Sequence, residues 1–315
     1  MAEFLKRLLK FVLFLVPAFA VIFIIWGLFP KLRNTSNIRL NKEQFSQLRL
    51  QEFKRVKNID ILFIGPSLCY RGFDTRIFKK YGYNTHNLGT SRQTPMQTKY
   101  LLKQYLKSIN PTLVIYVLDP FITSAGTGVE SATDFISNQY LSDSLTLQMV
   151  KEQNDIKVYN TFAYCYLRDK LLPYSNESIS YVNQKYITGG FVERPVTYYK
   201  HDKLPSIKYI FNSQQLNSLE EIVQFLGECK QKFLFVYPPI TSGKYTSISN
   251  RNDFIKNIER FGDVYNFNGK VILDDSLHFY DDKHLNQHGV EIYNREFLKV
   301  LGTKINTIVR PPNTN

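Results

Sequence analysis

The chain has 315 residues, 43% hydrophobic and 21% charged, which excludes a disordered or fibrous protein and leaves room for one large domain or two small ones. Its three cysteines, Cys69, Cys165 and Cys229, exclude a disulfide-stapled scaffold and lack the spacing of a zinc site, so free thiols are expected. The formal net charge is +13, but eleven of the 40 Lys and Arg and only three of the 27 acids fall in residues 1–57, so that segment carries +8; a membrane surface fits this better than nucleic acid, which needs a basic stripe on the folded domain itself.

Residues 1–10 form a short basic N-terminus, expected in the cytoplasm. From Phe11 to Phe29 no residue is charged, and this run spans about 28 Å as a helix, close to the thickness of a bilayer core. Ala18-Phe19-Ala20 also fits a signal-peptidase pattern, but cleavage there would leave the strongly apolar Val21 to Phe29 as a new terminus, so an uncleaved single-pass signal anchor is expected. Trp26 suits an interfacial position. Lys6, Arg7 and Lys10 before the span are outnumbered by Lys31, Arg33, Arg39, Lys42 and Arg49 after it, which would place the large domain in the cytoplasm. That rule weakens for long translocated domains, and the functional expectation below places the domain outside.

Residues 30–57, with Phe45, Leu48, Phe53 and Val56 at roughly helical spacing, read as a juxtamembrane linker or helix near lipid headgroups. The globular domain is expected over 58–302, followed by a tail at 303–315. Within it Ile59–Gly65 reads as a buried strand, Thr98–Leu106 as helical, and Leu113–Leu118 as a second strand ended by Asp119 and Pro120. An insertion at about 121–212 holds two predicted helices, near 141–153 and 156–172, and a loop rich in Tyr and Gly. A helix over Ser213–Lys230, a strand over Phe233–Tyr237 and a final helix capped by Asn286 follow. Strand and helix alternate, which predicts an α/β, doubly wound, mostly parallel sheet with its site beyond the carboxyl ends of the strands.

Three stretches there carry chemistry. Gly65-Pro66-Ser67 ends the first strand and would lift a hydroxyl above the sheet edge. Gly89, within Asn87-Leu88-Gly89-Thr90-Ser91, would let the backbone approach a ligand and donate its N–H. Asp281-Asp282-Lys283-His284 directly precedes the final helix. A serine, a backbone donor and an acid-histidine pair are the parts of a nucleophilic acyl-transfer site. Bland readings compete: a lone serine is more often a turn residue, and Asp275 to His278 fits D-x-x-H equally well. His284 and His288 stand four apart, but without H-E-x-x-H they read as a surface pair, and no metal is expected. Gly-rich phosphate loops are missing. Tyr198, Tyr199 and Tyr245 are residues that could stack on sugar rings.

In this order the three blocks resemble the SGNH hydrolase superfamily, with its GDSL-type lipases and esterases. The resemblance covers roughly 58–302 and implies an SGNH-like (flavodoxin-like) fold. It makes Ser67 the nucleophile, His284 the base and Asp281 its partner, with the N–H groups of Ser67 and Gly89 as the oxyanion hole and no organic cofactor. With its anchor the chain is also similar to membrane-anchored proteins of cell-envelope acylation, of the teichoic acid D-alanyl-transfer and alginate or peptidoglycan O-acetylation types. That implies a glycan or polymer substrate, a membrane-bound acyltransferase as partner, and a periplasmic domain on the cytoplasmic membrane. Two positions depart from the pattern: Pro66 replaces an Asp, and the third block, usually G-x-N-D, reads Val117-Leu118-Asp119-Pro120. The oxyanion asparagine is absent, so Arg71, Arg92 and Gln93 are substitute donors to consider, and a catalytically silent scaffold in polymer modification or export is the alternative.

Overall fold

The structure, a computed structural model, describes residues 1–26, 45–124, 126, 128–138, 144–171, 179–181, 183–200 and 204–310. Helix α1 (Ala2–Trp26) starts well before the uncharged run, because Glu3 to Lys10 continue its helical pattern, and none of its residues is buried by the protein. It is long and apolar enough to cross a bilayer, as an anchor or as a signal sequence. Gly27–Phe29 of the expected span, and the flanking Lys31, Arg33, Arg39 and Lys42, lie outside the described residues.

Helix α2 (Ser46–Phe53) corrects the expected juxtamembrane segment: Phe45, Leu50 and Phe53 are buried in the domain rather than near lipid. Phe53 packs on His86 and Tyr105, with ring centroids 5.1 and 5.5 Å apart. Arg49 donates to the carbonyls of Gly89 (2.8 Å) and Gly190 (3.1 Å). Leaving three such apolar side chains in water would cost on the order of 2 kcal/mol each, so residues 45–57 belong to the fold.

The apolar runs then build a sheet. Strand β1 (Ile61–Ile64) is followed by α3 (Ser67–Gly72), α4 (Thr75–Lys80) and β2 (Thr85–Asn87). Helix α5 (Pro95–Ile109), opened by a Thr94/Gln97 capping box, leads to β3 (Leu113–Val117) and α6 (Pro120–Ser124). The insertion supplies α7 (Val129–Asn138), α8 (Ser144–Gln153), α9 (Ile156–Leu171) and the strands β4 (Ser180–Tyr181), β5 (Gln184–Ile187) and β6 (Phe191–Glu193). The chain returns through α10 (Ser213–Glu228), β7 (Lys232–Tyr237), α11 (Ser242–Ser247), α12 (Arg251–Glu259), β8 (Val264–Asn266) and α13 (Gln287–Val309).

Strand order is β2-β1-β3-β7-β8 with every pairing parallel, the doubly wound flavodoxin-like order. All residues of β1 and β3 are buried, as helices on both faces require. The chain leaves β1 for β2 on one side and crosses to β3 on the other, which opens a crevice beyond the carboxyl ends of β1 and β3. Helix α13 closes one face, with Phe297 against Phe63, Phe73 and Phe78. Its buried Ile305 shows that the expected tail at 303 is still helix, through Val309; residues 311–315 lie outside the described residues. The two predicted insertion helices occur as α8 and α9, whereas α7 and the antiparallel β4-β5-β6 sheet were not expected.

Candidate active site

Gly65 ends β1 with φ +146°, and a Cβ there would stand 2.5 Å from the Val117 carbonyl oxygen, so only glycine lets this turn pass the end of β3. Ser67 follows as the first residue of α3, where backbone N–H groups have no intrahelical partner. Its Oγ lies 2.7 Å from Nε2 of His284, 217 residues away. Nδ1 of His284 lies 2.8 Å and 3.0 Å from the two carboxylate oxygens of Asp281. The acid is itself fixed, because Oδ1 accepts the N–H groups of Lys283 (2.8 Å) and His284 (2.7 Å). Burial pushes the Asp281 carboxyl up, but the His284 contact and these backbone donors outweigh it and hold it at about 2. An ionised Asp281 accepts from Nδ1–H, which leaves Nε2 to take the Ser67 proton.

The loop that carries the pair is braced at both ends. Tyr280 N–H donates to the His284 carbonyl (3.0 Å), and the Tyr280 ring stacks on the imidazole, 5.5 Å between centroids and 7° from parallel. Asn286 caps α13 as expected, accepting Gly289 N–H at 3.1 Å, while its own amide donates to the carbonyls of Leu277 and Thr197. The rival motif is structural: Asp275 accepts from Ser242 and Gly243 at the start of α11, and His278 Nδ1 accepts Asp274 N–H at 2.8 Å. His288 is exposed on α13, and among the described residues no group of three His, Cys, Asp or Glu converges as metal ligands would.

Gly89 sits tightly against α3. It is buried, and a Cβ would stand 2.8 Å from Cys69 Cβ and 2.9 Å from the Gly65 carbonyl oxygen, while the Cys69 thiol donates to Asn87 Oδ1 at 3.4 Å. The glycine serves the close packing of α3 on this loop. Burial, against the Arg49 charge and the Gly89 contact, pushes the Cys69 thiol far above its usual range, which leaves it inert.

A cleft of about 650 Å3 opens over Ser67 and His284. Asp119, at the third-block position, lines it; Oδ1 accepts Phe121 N–H at 2.9 Å and Oδ2 pairs with Lys283 Nζ at 3.2 Å. Of the substitute donors, Arg71 and Arg92 line the cleft, whereas Gln93 is buried against Thr98. The tyrosines of the cleft are Tyr70, Tyr209 and Tyr280; Tyr198 is exposed and Tyr245 packs on Tyr237. Arg194, just after β6, also reaches the cleft, and no motif marks it in the sequence.

No protein-family model matches the chain, and no curated protein matches it. Among solved structures it is similar, at low identity, to an acylhydrolase, a GDSL-like lipase and carbohydrate esterases. A GDSL-like lipase from Bacteroides thetaiotaomicron is 11% identical over 84% of this chain and 98% of that one, with a TM-score of 0.38. For a catalytic mutant of an acetylxylan esterase from Geobacillus stearothermophilus the values are 11%, 79%, 96% and 0.41, and for a Clostridium thermocellum family 3 carbohydrate esterase 11%, 80%, 100% and 0.39.

Proposed function

We propose that the chain is a membrane-anchored serine esterase or O-acyltransferase acting on an acylated envelope glycan or related polymer. The observation that carries this reading is the relay of Ser67 Oγ, His284 and Asp281, at 2.7 and 2.8 Å, at the carboxyl edge of a parallel sheet. Ser67 Oγ attacks the acyl carbonyl while His284 Nε2 takes its proton; the collapsing intermediate expels the alcohol, which receives that proton and leaves an acyl-Ser67 ester. Water or a sugar hydroxyl then repeats the sequence with His284 as base. The Ser67 N–H at the start of α3 is the backbone donor to the oxyanion. The resemblance to teichoic acid D-alanyl-transfer and alginate or peptidoglycan O-acetylation proteins supports a domain outside the cytoplasm, working beside a membrane-bound acyltransferase.

A fluorophosphonate probe should label the detergent-solubilised full chain, and labelling should vanish in Ser67→Ala and fall sharply in His284→Ala. Unlabelled wild type, also unlabelled in native membranes with its partners present, would sink the enzyme reading. Reporter fusions after residue 60 should behave as exported; activity of a cytoplasmic reporter alone would reverse the orientation. A second reading, a silent scaffold for polymer modification, is favoured by Asp119 in place of the oxyanion asparagine. Envelope modification that persists in cells carrying Ser67→Ala, yet is lost when α1 is removed, would select it.

A further inference from the structure

Five cations line the cleft above Ser67, and three are neutralised: Arg92 by Glu130 at 2.9 Å, Lys244 by Asp282 at 3.0 Å and Lys283 by Asp119 at 3.2 Å. Arg71 and Arg194 make no ion pair among the described residues. Arg71 is only 8% exposed; its Nη2 donates to Gln184 Oε1 at a long 3.3 Å, and its Nη1 is buried without a hydrogen-bond partner. The Nε of Arg194 is likewise buried and unpartnered. Asp281, the acid whose field reaches Arg71, is already committed to His284 and two backbone N–H groups.

Both guanidinium groups are held by aromatic faces. Arg71 lies 5.2 Å from the Tyr70 ring and 5.9 Å from that of Tyr280, and Arg194 lies 4.4 Å over Tyr280. Tyr280 is the ring that stacks on His284, so both charges stand one aromatic ring from the base. Packing alone accounts poorly for them, because a cation–π contact returns less than it costs to bury a guanidinium without a counter-ion. A planar fork with donors to spare is the group that recognises a carboxylate or phosphate with two parallel hydrogen bonds.

We propose that Arg71 and Arg194 form an anion subsite beside Ser67, and that the ester substrate carries a carboxylate or phosphate close to its scissile bond. The subsite rests on the esterase reading only for the word substrate; the binding claim stands apart from catalysis. The full-length Ser67→Ala protein in detergent micelles should therefore be titrated calorimetrically with tri-galacturonate, with inorganic phosphate and with neutral xylotriose. At least one anion should bind, more weakly as salt rises, with roughly tenfold weaker affinity after Arg71→Gln or Arg194→Gln. Which anion binds tells a carboxylate from a phosphate substrate, and neither substitution should alter any xylotriose binding. Arg71→Lys keeps the charge without the fork and should fall between; Arg194→Gln, at the less buried site, keeps the test open if Arg71→Gln does not fold. Binding of neither anion, or binding indifferent to both substitutions, overturns the proposal. In protein retaining Ser67, the ratio of kcat/KM for 4-nitrophenyl hemisuccinate over 4-nitrophenyl acetate should fall about tenfold in each variant, through KM; equal losses on both esters would mean a merely structural role. If the fluorophosphonate fails to label Ser67 while Arg-dependent anion binding persists, the enzyme reading falls and the subsite stands. Labelling without such binding removes the subsite alone.

Discussion

Two backbone N–H groups and an imidazole converge on the carboxylate of Asp281, and that convergence sets its pH behaviour. Its folded pKa lies near 2, below the 3.8 of the free side chain, so the stability it contributes is present above about pH 4 and is lost as pH falls towards 2. Asp281→Asn should thus be less stable than wild type near neutrality by about 1 kcal/mol, a value discounted for partial exposure, and the gap should close by pH 2 in denaturant melts. Its ester turnover should fall on the order of ten-thousandfold, because the amide no longer fixes the imidazole tautomer. Ser67→Ala should abolish turnover with little change in melting temperature, since a half-buried hydroxyl at a helix start contributes little to the core. The meeting of Ser67, Asp281 and His284 was legible because their motifs stand at the end of a strand and directly before the final helix. Arg194 and Tyr280 were not, because their placement depends on an insertion strand and a ring stack that no spacing encodes. Gly89 was legible as a site of close approach, but what approaches it is α3, a matter of tertiary packing.

Helix α2 shows why the domain boundary was misplaced from sequence. Its polar and basic residues resemble a linker, and only the fold reveals that Phe45, Leu50 and Phe53 enter the core while Arg49 satisfies two loop carbonyls. A truncated chain beginning at residue 58 should lose roughly 5–8 kcal/mol of burial, comparable with the whole stability of a domain, and should be recovered unfolded or aggregated. One beginning at residue 45 should give a cooperative melt; a stable, cooperative chain from 58 would show that α2 is dispensable. The turn after β1 is as exacting. Gly65→Ala should cost about 3 kcal/mol from its left-handed φ alone, and the clash with Val117 should splay β1 from β3 and reduce fluorophosphonate labelling even where the fold survives. Strands β2 and β8 escaped notice because three residues, Thr-His-Asn and Val-Tyr-Asn, are too short to show a period. The long apolar runs of β1, β3 and β7 declared themselves.

Across the whole molecule, parallel strand order brings sequence-distant blocks to one edge, and the same burial governs acid stability. His86 is buried and, by burial and then the Arg49 charge, lowered to about 3, so its contribution is present above pH 6.5 and lost as pH falls to 3. Asp134 is raised to about 6 by burial, against Ser46 and Arg49, so it destabilises above pH 6 and that burden lifts as pH falls to 3.8. Between pH 6 and 4 the two nearly cancel. Melting temperature should then change little over that interval and drop below pH 4, while Asp134→Asn should decline from about pH 6.5. Parallel profiles for the two proteins would show that these groups do not set acid stability. Helix α1 offers a different kind of consequence. Trp26, at the end of α1, is the only tryptophan in the chain, so red-edge excitation isolates a single emitter on this apolar helix and is blind to the rest of the chain. If α1 inserts into a bilayer, bromine placed at successive acyl-chain depths should quench that emission and make the native protein its own depth gauge, with no label to perturb it; emission indifferent to brominated lipid would show that it does not insert.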